Sequence, residues 1–479
     1  MPPLVSLIAG VLLLASFPFW IPRLVIGLRM SIFRRINGEE GIAIPGKIAH
    51  ASHFRQVYSH PAADGRSRGA ALSDLFWYWL SPGPEVHQEH LEPGTKYEQV
   101  ARTTRRILGT LTRTQAEDLT VRCSARVLGA LNGKEMKLVR LRDLMMPIWA
   151  EFYYELVFGE PCPPGARALI VDNANDVVTA LKCCGLRHMT KRQRLTRFLE
   201  EALAAGAVPH RLPDSLSVEE RALYLQGVFF NTAVVQMSEA MVHLLMVLAE
   251  HEDVQERVRQ GTNEAYLNRV LTETMRLYPL FGIAHRITSA EIAVENCVTV
   301  PKGSVLCFNY PDYHRIGYES PECFNPERWE MRSARDANYI PFGVAGNRPC
   351  PASGLAPVTM LAAAREVLQR FSLYSSASHT RSIPNRGPCL LVPRMANVEP
   401  QRPAVRLALI RLRDRWEDVW RSLSQLVLGT YMVWEARRLK LCTRYFEAQE
   451  GKHKTGAGAA SRLERPAFLQ ENECGGDIQ

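Results

Sequence analysis

The stretch from Ala222 to Ala249 constrains this 479-residue chain more than any other. It is almost continuously apolar, yet Gln226, Asn231, Gln236, Glu239 and His243 interrupt it. Those side chains would be costly in lipid, so the run is predicted to be a helix through the middle of a domain, buried on most faces. Such a helix needs a large domain around it. A composition 46% hydrophobic and 22% charged can supply one.

The flanking segments define the rest of the architecture. Helical patterning dominates from Tyr97 to Tyr278, with amphipathic helices expected over Leu138–Phe158 and Arg192–Ala207. Ser215 and Ser217, followed by Glu219 and Glu220, supply helix-start chemistry for the central run. After Arg276 come short β-branched segments, Ile292–Val300 and Val305–Asn309, around a Pro-Lys-Gly turn. A further helix is expected over Ala356–Arg370. The fold class is therefore mainly α with a small β region. Residues 36–95 read as irregular, apart from a short aromatic helix over Leu72–Leu80 near the membrane.

The two ends differ from the middle. Residues Leu4 to Pro22 are apolar, and the run continues past Arg23 to about Met30, a length that fits one membrane span. Arg23, Arg29, Arg34 and Arg35 follow it, which puts the bulk of the chain on the cytosolic side. A cleaved signal peptide is the competing reading; the absence of a basic n-region and the interrupting prolines count against it. Beyond Glu399, Val405, Leu409, Leu412, Trp416, Val419, Leu423, Leu426 and Val427 recur at helical steps among many arginines. That pattern is a basic amphipathic helix, lying on a membrane or docked on the main domain. The last 30 or so residues have a disordered composition. The chain thus divides into an anchor over 1–35, a domain over 36–398 and an extension over 399–479.

The net charge of +9 suits an anionic membrane surface or an acidic partner. No motif interleaves basic and aromatic residues as nucleic-acid binding requires. The 11 cysteines include no CxxC pair, which argues against zinc ribbons and disulfide scaffolds and for reduced thiols.

One cysteine stands apart. Cys350 lies in Pro341-Phe-Gly-Val-Ala-Gly-Asn-Arg-Pro-Cys-Pro-Ala352, where small and kinked residues let backbone approach a flat ligand. Arg348 beside it favours thiolate. This is what a loop presenting one sulfur to a haem iron needs. Upstream, Glu273-Thr-Met-Arg276 puts an acid and a base on one helix face. Arg328, in Phe324-Asn-Pro-Glu-Arg-Trp329, can complete a buried Glu-Arg-Arg network with them.

In this order and spacing the three motifs resemble the cytochrome P-450 (haem-thiolate) family. The resemblance covers roughly residues 95–395, and is strong only after about residue 240. It implies the cytochrome P-450 fold, haem b as cofactor, and Cys350 as axial ligand of the iron. It implies that Arg348 and Arg286 pair with haem propionates, with Phe342 and Gly346 shaping the cofactor loop. One of Arg102, Arg105 and Arg106 is expected on another propionate, since only Tyr97 and these arginines stand near the family's Trp-x-x-x-Arg position. His314-Arg315 matches a recurrent structural element. The implied activity is oxidation of a lipophilic small molecule, and the unusual sequence points to a specialised metabolic pathway. Electrons would come from an NADPH-dependent cytochrome P-450 reductase and the membrane would be the endoplasmic reticulum.

Two departures from the family pattern stand out. The loop from Phe342 to Cys350 is one residue longer than usual, an insertion near Ala345, and Ala352 replaces a glycine. On the central helix, the acid–alcohol pair that helps deliver protons to dioxygen is replaced by Val235-Gln236, with Thr232 and Asn231 a turn earlier. An amide is a poor proton relay. Gln236 and Thr232 are therefore the candidate distal catalytic residues. Gln236 motivates one alternative, a reductase-independent isomerase or dehydratase acting on a hydroperoxide-like substrate; the carboxy-terminal amphipathic helix motivates another, a non-catalytic haem-binding scaffold that recruits a partner.

Overall fold

A computed structural model of the chain describes residues 2–37, 41–66, 70–81, 91–131, 135–261, 264–295, 298–394 and 403–456. In the amino-terminal part the elements are α1 (Pro2–Asn37), β1 (Ile42–Ile44), α2 (Phe54–Ser59), α3 (Ala71–Leu80), α4 (Thr95–Leu108), α5 (Arg113–Gly129), β2 (Lys137–Arg140) and α6 (Leu141–Phe158). The middle holds α7 (Pro164–Leu181), α8 (Met189–Ala204), α9 (Val218–Leu225), a π-helical segment (Gln226–Ala233), α10 (Val234–Glu250), α11 (Glu252–Gln260) and α12 (Glu264–Leu277). Then follow β3 (Ile283–Ile287), β4 (Ile292–Glu295), β5 (Val298–Val300), β6 (Val305–Asn309), α13 (Tyr310–Tyr313), α14 (Ala356–Arg370), β7 (Phe371–Tyr374), β8 (Pro388–Pro393), α15 (Ala404–Leu439) and α16 (Leu441–Gly456).

The central helix starts where its sequence allows. Ser217 accepts from the Glu220 amide and the Glu220 side chain returns to the Ser217 amide, which satisfies two donors that a helix start leaves open. From there α9, the π segment and α10 run as one rod, with 83% of its most apolar window buried. Four of the polar residues that interrupt it, Gln226, Asn231, Glu239 and His243, are held by fixed neighbours. Glu239 is held by Arg142 of α6 and Lys182 of the α7 end. Burial opposes its charge, but the two cations hold its carboxyl below the usual range. Asn231 bonds Asn173 and the Leu80 carbonyl.

The β structure is small, as expected. β6 is the centre of one sheet, parallel to β1 and antiparallel to β3. β8 pairs antiparallel with both β2 and β7, and β4 with β5.

Several expectations shift. The helix expected from Leu138 starts at Leu141, because residues 137–140 pair with β8 as a strand. That helix is buried almost all round rather than amphipathic. Residues 36–95 are more ordered than their composition suggests, contributing β1, α2 and α3. The aromatic helix α3 packs in the interior: Leu75, Tyr78 and Trp79 share a cluster with Met432, Val433 and Ala436 of α15. The expected domain boundary at 398/399 and the tail beyond residue 456 lie outside the described residues.

The carboxy-terminal extension docks on the domain. Glu417 pairs with Arg140, and buried Asp414 accepts from Ser378 N and Asn385 Nδ2. α1, a candidate membrane span by length and hydropathy, runs alongside α15.

Candidate functional site

Behind the cysteine loop, Glu273 is fully buried and accepts five hydrogen bonds. Arg276 gives two from Nε and Nη2, each 2.9 Å, and Arg328 Nε one of 2.9 Å. Trp329 Nε1 at 2.8 Å and Asn325 N at 3.1 Å complete the set. Arg276 spends its remaining reach on the carbonyls of His314 and Pro321. The expected Glu-Arg-Arg network is therefore formed, and it clamps the segment around residues 321–329 to α12. Nearby, His314 is buried and its Nε2 accepts from Ile340 N at 2.9 Å; burial pulls its pKa down to about 3. Its neutral ring holds the chain just before the loop.

The loop itself turns tightly. Gly343 has φ +76, which favours glycine, and Val344 pairs with Asn347. Asn347 Nδ2 donates to the Tyr58 and Ala63 carbonyls. The extra residue is thus absorbed in a small turn anchored on α2 and the segment after it. The Cys350 amide donates to Phe342 O at 3.0 Å, closing the loop. Gly346 departs from expectation. It is exposed and does not line the cavity, because the turn aims it at Ser59, 3.0 Å from where a Cβ would stand. Gly343 takes that lining position instead.

Cys350, Phe342, Pro351 and Ala352 form one wall of a cavity. Thr232, Gln236, Met237 and Ala240 of the central helix form the facing wall. The Gln236 amide makes no side-chain hydrogen bond among the described residues, and Val235 points into the core. A π-helical turn lies just before Gln236 and contains Thr232, a distortion that often accompanies function. Periodicity alone gave no sign of it.

The rim carries cations. Arg286 is buried, lines the cavity, and donates to Tyr58 Oη and His285 O, both at 3.0 Å. Its Nε finds no hydrogen-bond partner among the described residues. Arg348 also lines the cavity. It pairs with Asp64, donates to Leu91 O and sits over the Tyr97 ring. Arg102, Arg105 and Arg106 do not line it. On α4 the inner face is Tyr97, Val100, Ala101, Thr104 and Leu108, so residues 102, 105 and 106 point to solvent. The cation that the sequence reading missed is Arg66, also in the lining, which donates to His285 O at 2.6 Å. Gly65 bridges to Ile287 of β3 and thereby carries Arg66 to the rim. A Gly-Arg step outside any periodic segment offers no signal for this.

Comparison with known proteins agrees with the geometry. The family model for cytochrome P-450 matches residues 190–398. Cytochrome P-450 3A12 of the dog, Canis lupus familiaris, is 31% identical over 178 residues, covering 33% of this chain and 35% of that one. A zebra fish cytochrome P-450 with progesterone superposes with a TM-score of 0.56 at 18% identity, over 72% of this chain and 92% of the other. Cytochrome P-450 OleT with arachidonic acid gives a TM-score of 0.58 at 15% identity, over 72% and 88%. Residues 190–398 thus belong to the cytochrome P-450 family by sequence, and the fold of the chain is that of cytochromes P-450. It matches the curated relatives over about a third of their length.

The cofactor of a cytochrome P-450 is haem, and the residues present fit it. The cavity offers one thiol on one wall, a helix on the other, and an orphaned buried guanidinium nitrogen at the rim. A thiolate–iron bond and carboxylate–arginine pairs are the chemistry that this donor set favours. His285 shares the rim: burial holds its pKa well below the usual range, so it stays neutral beside Arg66 and Arg286. No disulfide joins any of the nine described cysteines, so Cys350 is not committed to one.

Proposed function

We propose that this protein is a haem-thiolate monooxygenase that oxidises a lipophilic small molecule. The observation that carries the reading is the facing arrangement of Cys350 and the central helix across one cavity, with Arg286 Nε at its rim left without a partner among the described residues. Cys350 holds the iron, and Arg286, Arg348 and Arg66 take the propionates. Haem supplies the reduction of dioxygen and the insertion of one oxygen atom. The protein's share is to bind, exclude water and manage protons. Phe229, Met237, Ala240 and Leu280 present an apolar wall to the substrate. Progesterone and arachidonic acid, bound in the two structural neighbours, have the same lipophilic character. The Gln236 amide, without a side-chain hydrogen bond among the described residues and lining the cavity with Thr232, orders a water for proton delivery.

The electrons come from an NADPH-dependent reductase. α1 attaches the enzyme to the endoplasmic reticulum as a single membrane-entering helix, with residues 36–398 cytosolic, the arrangement that Arg23, Arg29, Arg34 and Arg35 favour. The departures at Ala345, Ala352 and Gln236 support a specialised biosynthetic substrate.

One observation favours a second reading. An amide at residue 236 cannot relay protons as an acid–alcohol pair does, and an isomerase acting on a hydroperoxide would not need that relay. Turnover of a hydroperoxide without NADPH, together with none under dioxygen and reductase, decides for the second reading. The first test is the spectrum of the reduced, carbon-monoxide-bound protein. Wild type is expected to give a thiolate-type Soret band and Cys350→Ser to lose it; a wild type without that band refutes both readings.

A further inference from the structure

α15 has two faces of opposite fate. Leu407, Ile410, Asp414, Met432, Val433 and Ala436 are buried against the domain. On the other side Val405, Leu409, Leu412, Trp416, Trp420, Leu423, Val427, Tyr431 and Trp434 are all exposed. At 100° per residue these nine fall within an arc of about 100°. Trp420 is 73% exposed and Val405 75%. The helix is about 54 Å long at 1.5 Å per residue, so the stripe is far larger than the isolated apolar residues that every surface carries.

α1 shows what lies against it. Arg415 sits 5.2 Å from the Phe19 ring, Arg29 Nη1 donates to Gln425 Oε1 at 2.9 Å, and Phe33 packs on Gly429. These contacts keep one sequence offset, so the two helices run parallel. Ile32 and Ile36 of α1 meet Val427, Tyr431 and Trp434 of the stripe across a shallow apolar groove. The apolar surface of α1, only 6% of whose span window is buried, is therefore continuous with the stripe. α15 cannot itself cross hydrocarbon. Beside the apolar part of α1 it carries Arg413, Asp414, Arg415, Glu417 and Asp418, and Arg421, which pairs with three of those carboxylates. Exposed Arg406 and Arg413 flank one edge of the stripe and Arg415 the other.

We propose that the outer face of α15 is a second membrane-binding surface. The helix lies in the headgroup layer of an anionic leaflet, with its tryptophans inserted and its arginines on lipid phosphates. An amphipathic helix with basic edges and aromatic residues on the apolar side is suited to that position. α1, packed along it, enters the bilayer at a shallow angle, and the domain is held by two lines of contact instead of a flexible tether. This goes beyond the oxidative function and is independent of it.

The test uses the full-length protein on phosphatidylcholine/phosphatidylserine vesicles whose acyl chains carry bromine near the headgroup. Four of the eight tryptophans are exposed: Trp20, Trp416, Trp420 and Trp434. The Trp416→Phe/Trp420→Phe variant, which keeps the face apolar, is expected to lose roughly half of the quenching, since it removes two of those four indoles. Quenching should also weaken when phosphatidylserine is omitted. Quenching unchanged in the double variant overturns the proposal. So does fluorescence that ignores lipid and varies with protein concentration, which would assign the face to a second copy of the chain. Equal quenching on neutral and anionic vesicles would refute the role given to the arginines.

Discussion

Glu273, behind the cysteine loop, accepts five hydrogen bonds, whereas Gln236, on the facing wall, makes none through its side chain among the described residues. Both are polar side chains on helices of the domain interior, Glu273 fully buried and Gln236 half-buried on the cavity. The difference is one of task. A buried carboxylate whose acceptors are all filled is fixed, and it fixes whatever it touches. An amide open to a cavity is available to something that enters. On the function proposed above, the cysteine wall is scaffold and the helical wall is left for chemistry.

The comparison can be broken most sharply at Glu273. Glu273→Ala leaves the buried Arg276 and its neighbour Arg328 without the carboxylate that they share. Removing one partner of a buried pair costs about 3–5 kcal/mol. Chemical unfolding of the full chain should show that loss, and little haem-loaded protein should accumulate. A wild-type midpoint would mean that the network contributes no net stability.

Arg286 stands between the two extremes, with two hydrogen bonds made and Nε open. If that nitrogen awaits a haem propionate, Arg286→Ala removes a charge-assisted bond of about 1.5–3 kcal/mol, or about ten- to a hundredfold in haem affinity. Haem transfer to an acceptor protein measures it. Arg102→Ala, on the solvent face of the same rim region, is expected to change nothing.

His314 sharpens the scaffold side through pH. Its folded pKa is about 3, against an ordinary value of 6.5. Between those values the unfolded chain binds a proton that the folded protein refuses. Stability from this group is complete above pH 6.5 and is lost as pH falls toward 3, at about 1.4 kcal/mol per unit. Unfolding of wild type and His314→Asn between pH 7 and pH 5 should show a shallower acid slope in the variant. Parallel slopes would mean that His314 is already protonated in the fold.

What the sequence disclosed follows the same divide. The cysteine wall was legible because its parts are short motifs at fixed spacing: Glu273 and Arg276 one helical turn apart, Arg328 beside Trp329, Cys350 among glycine and proline. The central helix was legible from its apolar length. What escaped depends on contacts distant in sequence. Arg66 reaches the rim only because Gly65 bridges to β3. The inner face of α4 excludes Arg102, Arg105 and Arg106, although the expected spacing had pointed to them. Gly346 yielded its place to Gly343 because the inserted residue closes into a turn on Asn347. The π turn before Gln236 leaves no trace in hydrophobic period, because the rod is apolar on every side.

The smallest effect, and the most informative about chemistry, belongs to Gln236. A positioned acid or base accelerates its step by about 10²–10⁴. The amide has no proton to give at neutral pH and can only hold a water in line. Gln236→Ala should therefore lower product formed per NADPH consumed by less than about tenfold, with haem binding and the Soret band unchanged. Gln236→Thr with Val235→Asp rebuilds the acid–alcohol pair on the same helix. If the chain is a monooxygenase, that double variant should couple NADPH to product at least as well as wild type, because the relay is restored where the amide only substituted for it. If the natural substrate is a hydroperoxide, the same variant should gain nothing with dioxygen and should lose peroxide turnover, since the rebuilt acid would protonate groups that the amide merely positions. The two walls would then differ in kind: one shared across the family, the other remade for a single reaction.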